Sequence, residues 1–172
     1  MESTILACAL AASGLLLVAA WCDLATRTIP DGISIALAGL GLLGRAGEGL
    51  APAATSLLVA AGLFAVMVPL HARGAIGGGD VKLIAALAAG FSPHATVSFL
   101  LSTMMAGGVL ALLYLSARLL PQPAPLAPRP AAWAPRKMLT LERRRMSRRG
   151  PLPYAVAIAA GGLFTLIEPF GG

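Results

Sequence analysis

Asp23, Asp31 and Asp80 are the only aspartates in a chain of 172 residues, and they stand beside long apolar segments. Asp80 follows Gly77, Gly78 and Gly79 and precedes Val81 and Lys82. Asp23 closes an apolar run and precedes Arg27 and the triplet Ile29-Pro30-Asp31. An ionisable group at a membrane-grade segment is costly and marks a functional position. Two carboxylates held close together cannot both ionise easily. They share a proton, titrate as a unit, and can activate a water while protonating a leaving amine. The glycine run leaves a bare backbone that an extended peptide could approach and bond through its main chain. Asp80 opens a helix, where the amide dipoles favour its ionised form. Lys82 either steadies the local charge or snorkels to an interface. Asp31 reads as a helix cap.

The elements that must position these groups are helical and membrane-bound. The chain is 58% hydrophobic and 12% charged, where a soluble domain carries about a quarter charged residues. Ala, Gly and Leu dominate, which suits close approach of helices in lipid. The expectation is an all-α, polytopic integral membrane protein forming a single domain over residues 1–172. About six transmembrane helices are expected, two of them short. Thr4–Trp21 has the length of a bilayer core. A loop containing Pro30 leads to the short stretch Ile33–Leu43, which reaches across only by continuing towards Leu50. Ala53–Leu70 is a third span, and Val81–Phe91 is the second short stretch. Ala95–Ala117 and Ala155–Ile167 complete the set. Each Asp-bearing loop therefore leads into a short span, which implies a thinned bilayer or helices sunk from one surface.

Charge sets the orientation. Nine of the thirteen Lys and Arg fall between Arg118 and Arg149, in a proline-rich and basic loop spanning 118–150. With six spans, twelve of the thirteen lie on one side and Arg45 alone on the other. Positive residues mark the cytoplasmic side, so both termini are expected outside and both Asp-bearing loops inside. Between apolar flanks, the basic loop reads as facing anionic lipid rather than nucleic acid. Cys8 and Cys22 lie on one helix about 21 Å apart and cannot bond to each other. There is no CxxC pair, and neither His71 nor His94 has a partner at metal-ligand spacing, so no metal or cofactor is expected.

The pattern Asp23-x5-Ile29-Pro30-Asp31, followed by Gly77-x-Gly79-Asp80-Val-Lys82-Leu83, resembles the type IV prepilin peptidases, within the wider GxGD intramembrane aspartyl proteases. Pro153-Tyr154-Ala-Val-Ala-Ile-Ala-Ala-Gly161 is similar to the closing motif of the same family. The resemblance implies that Asp23 and Asp80 are the catalytic pair of an aspartic endopeptidase. Gly77, Gly78, Gly79, Lys82, Ile29, Pro30, Pro153 and Tyr154 are then supporting motif residues. It implies a prepilin or pseudopilin substrate with a basic leader, cut after a leader glycine at the cytoplasmic face of the bacterial inner membrane. The chain is most similar to the short, peptidase-only form of tight-adherence (Flp) pilus systems, for which methylation of the mature pilin is not implied. Asp31 departs from the Asn that many members carry after Ile-Pro. Read without the resemblance, the two acids also fit a small proton-coupled transporter, or a non-catalytic subunit of a pilus or secretion assembly.

Overall fold

The computed structural model describes residues 2–119 and 152–167. Six helices account for nearly all of them: α1 (Glu2–Thr26), α2 (Asp31–Glu48), α3 (Leu50–Ala72), α4 (Gly78–Ala88), α5 (Pro93–Leu119) and α6 (Tyr154–Ile167). No strand occurs among the described residues. The protein is an all-helical, polytopic membrane protein. By length and composition α1, α3 and α5 can each cross a bilayer. Large apolar side chains on α3 and α5 point outward, among them Leu58, Val66, Met104, Met105 and Leu112. In water such a surface would be unstable, whereas lipid tails solvate it. Apart from its first two residues, the basic stretch 118–150 lies outside the described residues.

The two short spans resolve differently. α2 runs for 18 residues, because Gly44–Glu48 continue the helix beyond Leu43. Arg45 closes its far end, bonding Ser56 on α3 at 3.0 Å through Nε and pairing with Glu48. α4 is only 11 residues, about 16 Å, roughly half of what a bilayer core requires. It survives because other helices enclose it. α2, α3, α5 and α6 all pack on it, and Val81, Leu83, Ile84, Ala86, Leu87 and Ala88 are buried. Leu83, Ile84 and Leu87 join Leu16, Leu37, Phe91, Phe99 and Ile158 in the main core.

Glycines let these helices approach backbone to backbone. A Cβ added at Gly41 on α2 would lie 2.5 Å from the Cα of Gly90, just beyond α4. On α6, a Cβ at Gly161 would lie 2.7 Å from the backbone nitrogen of Thr103 on α5. Real Cβ atoms do not come so close to backbone, so any side chain at these positions pushes helices apart.

Candidate active site

Asp23 and Asp80 come together at one end of the bundle. Asp23 closes the apolar run but not the helix. The helix continues to Thr26, and Asp23 lies in its last turn, buried. The Asp23 carbonyl accepts the Arg27 N–H at 3.0 Å. Arg27 then turns the chain with φ +59°, the only positive φ at a non-glycine among the described residues. That left-handed conformation costs a non-glycine residue of order 1 kcal/mol. It is a helix-ending position where glycine is the usual occupant. Instead the chain places a guanidinium there, with Nε and Nη1 buried. Thr26 Oγ1 bonds the Cys22 carbonyl at 2.9 Å and steadies the same turn.

Asp80 arrives in the first turn of α4. The glycine run is not an open loop. Gly78 and Gly79 already belong to the helix, and Gly77 alone remains extended, as its N-cap, with φ −65° and ψ 139°. Each glycine gives room to a particular neighbour. A Cβ at Gly77 would lie 2.8 Å from Asp80 Oδ2, one at Gly78 would meet the His71 ring, and one at Gly79 would lie 3.3 Å from Ile29 Cδ1. Ile29 therefore joins the two motifs physically, because the loop after Asp23 packs directly on the turn that carries Asp80. Pro30 is the N-cap of α2, with φ −59°.

The third contribution comes from α6. Pro153 is fully buried ahead of it and brings no N–H to the helix start. The N–H of Ala155, in the first turn, donates to Asp23 Oδ2 at 3.2 Å. A helix N-terminus carries unsatisfied donors and the positive end of the dipole, a favourable setting for a carboxylate. Tyr154 starts the same helix, and its ring packs against Gly107 on α5.

Asp80 precedes the apolar stretch of α4, and its carboxyl is pushed up from 3.8 to about 6. Burial is the main cause, the charge of Asp23 adds to it, and Arg27 opposes both. The expectation from the helix dipole alone is thus reversed. Desolvation and a like charge outweigh a helix end, whose effect is worth about 1 kcal/mol at most exposed sites.

Asp31 and Lys82 belong to a different contact. The N-cap of α2 is Pro30, and Asp31 lies inside the first turn rather than at the cap. Its Oδ1 accepts from Lys82 Nζ at 2.7 Å, tying α2 to α4 on the face of α4 turned away from Asp80. Both side chains are about half exposed or more, so the pair is worth less than about 1 kcal/mol. Asp31→Asn is accordingly expected to leave activity and melting temperature nearly unchanged. A loss of activity beyond about threefold would show that the pair does more than join two helices.

The model of the type IV leader peptidase family matches residues 10–112. That span takes in Asp23, Ile29, Pro30 and the whole of Gly77–Lys82, and stops short of Pro153 and Tyr154. Comparison with curated proteins and with solved structures gave no match. The match covers more than half of the sequence and contains both aspartates at the geometry described, and the chain belongs to the type IV leader peptidase family.

Proposed function

We propose that this chain is an aspartic endopeptidase of the prepilin type. It removes the basic leader of a type IV or Flp prepilin, or of a pseudopilin, at the cytoplasmic face of the bacterial inner membrane. Asp23 and Asp80 are its catalytic pair. The observation that carries this reading is the convergence of the two carboxyls from α1 and α4, with the Ala155 N–H and the Arg27 side chain beside them. Asp80 holds the shared proton, and Asp23 acts as the carboxylate. Asp23 takes a proton from water as the water oxygen attacks the scissile carbonyl carbon, while Asp80 gives its proton to the carbonyl oxygen. Collapse of the resulting diol breaks the C–N bond. The amine leaves with the proton from Asp23, and the diol returns one to Asp80. The basic segment 118–150 faces anionic lipid on the same side, and both termini are outside. The site's position at the end of the bundle suits a substrate whose helix lies in the bilayer and whose leader is in the cytoplasm.

Reconstitution in liposomes with a pilin bearing its basic leader separates this reading from the others. Leader release is the expected result. Proton-linked flux without cleavage would instead favour a transporter, and neither activity would favour an assembly subunit.

The charge environment of Asp80 makes a second expectation. The mechanism needs Asp80 protonated, so kcat/KM falls on the alkaline side with a midpoint near 6. Arg27 lowers the proton affinity of Asp80, so Arg27→Gln moves that midpoint upward. A profile in which Arg27→Gln shifts the limb downward, or leaves it in place, would contradict the assignment.

A further inference from the structure

α3 ends one short turn before the glycine motif, and the loop between them is tied back to α3 by successive bonds. The Arg73 N–H reaches the Pro69 carbonyl at 3.2 Å, that of Gly74 reaches His71 at 2.8 Å, and that of Ala75 reaches Leu70 at 3.0 Å. The next carbonyl along the chain, that of Ile76, faces the His71 side chain. His71 Nδ1 lies 2.9 Å from Ile76 O. A carbonyl oxygen only accepts, so Nδ1 carries the hydrogen and donates it. The same imidazole covers Gly78, where an added Cβ would lie 3.1 Å from Cε1 and 3.2 Å from Nε2.

We propose that His71 is a positioning residue for Asp80: its imidazole fixes the turn that carries Gly77–Asp80, and it requires glycine at position 78. The inference rests on the peptidase reading of the aspartate pair. The geometry runs in a short line. The Ile76 carbonyl immediately precedes Gly77, the N-cap of α4. The carboxyl of Asp80 lies against Gly77, and the Gly77 carbonyl accepts the Val81 N–H at 3.2 Å. Turning the Ile76–Gly77 peptide therefore turns the cap on which Asp80 rests. His71 itself is exposed, so losing it leaves no cavity in the core and acts on the turn alone. A methyl group at position 78 would push the ring by a few tenths of an ångström, off its line to Ile76. The two positions act through one contact, so their effects do not add.

Four variants of the full chain in liposomes test this with a pilin substrate: His71→Ala, His71→Asn, Gly78→Ala, and His71→Ala with Gly78→Ala. Asp80→Asn serves as the control. His71→Ala is expected to lower kcat about tenfold, the equivalent of one lost hydrogen bond, with KM changed less than about twofold. His71→Asn restores most of the rate, because the Asn amide presents an N–H near the place of Nδ1. Gly78→Ala lowers kcat in the presence of His71 but adds nothing once His71 is gone. Wild-type kcat in His71→Ala, no rescue by Asn, or multiplying losses in the double variant would each overturn the proposal. If Asp80→Asn cleaves normally, it is the peptidase reading that fails. If Asp80→Asn is dead while His71→Ala is normal, only the role of His71 fails.

Discussion

Asp80→Asn and Asp23→Asn are each expected to slow leader removal by at least about 10²-fold, the typical scale of a lost acid–base group. Asparagine has the shape of the acid and cannot pass a proton. In Asp23→Asn the side-chain amide still offers an oxygen to the Ala155 N–H, which keeps α6 docked on α1. In Asp80→Asn the amide fills the same space beside Gly77. The two losses do not multiply in the double variant, because each acid is useless without the other. Stability moves in the opposite direction at position 80. The folded protein holds the Asp80 proton more tightly than the unfolded chain does, with a pKa of about 6 against 3.8. Its contribution to stability is therefore complete below about pH 4 and is lost as pH rises through 6. The amide cannot ionise, so Asp80→Asn unfolds at a higher temperature than the parent at about pH 7, and the difference shrinks towards about pH 4. The measurements are pilin mobility on a gel, in cells without another such peptidase, and melting curves across that pH range. Full processing by either variant would remove the aspartate pair from the mechanism.

Gly161→Val is expected to cause the largest structural loss. Gly161 on α6 faces the Thr103 backbone, with room for hydrogen alone: a Cβ would lie 2.7 Å from its nitrogen and 2.9 Å from its Cα. Backbone cannot rotate aside as a side chain can. Valine must therefore separate α5 from α6, at a cost of about 3 kcal/mol. The next residue, Gly162, packs on Leu16 of α1 and Leu87 of α4, so the displacement spreads through the core. It also withdraws the N-terminus of α6, and with it the Ala155 N–H, from Asp23. Low accumulation in the membrane and loss of cleavage in whatever protein remains are the expected results. Gly62→Val, at a position with open space around it, is the matched control and is expected to behave as the parent. Equal yields and activities of the two valine variants would show that α5 and α6 are not held at this distance.

What could be read in the sequence followed from scarcity. With three aspartates in an apolar chain, each one stood out, and charge bias alone put Asp23 and Asp80 at one end of the bundle. The helices were likewise visible as apolar stretches broken near Pro30, the glycine run and Pro93, whereas the break between α2 and α3 falls at Gly49, with Pro52 inside α3. Contacts made across the chain were not visible. Nothing near Asp31 announces that its partner is Lys82, 51 residues away. Nothing near Asp23 points to a backbone N–H 132 residues later. For Asp80 the sequence offered two opposed local arguments, a helix dipole favouring the charged form and a like charge at Asp23 opposing it; the burial that decides between them is built by helices distant in sequence. Arg27 was visible as a neighbour of Asp23, but its left-handed backbone was not, since the usual signal for that conformation is a glycine.

The contact between Gly41 and Gly90 has one more consequence. It fixes the far end of α4 by backbone, while the first turn that carries Asp80, ahead of the buried Val81, Leu83 and Ile84, rests on side chains and a glycine cap: Ile29, an imidazole and Gly77. A rod secured at one end is a lever. With an arm of about 16 Å, a tilt of about 10° would carry Asp80 through about 3 Å, and so change its separation from Asp23. The separation of the two carboxyls is therefore a gauge of the angle at which the shortest helix hangs from its pivot.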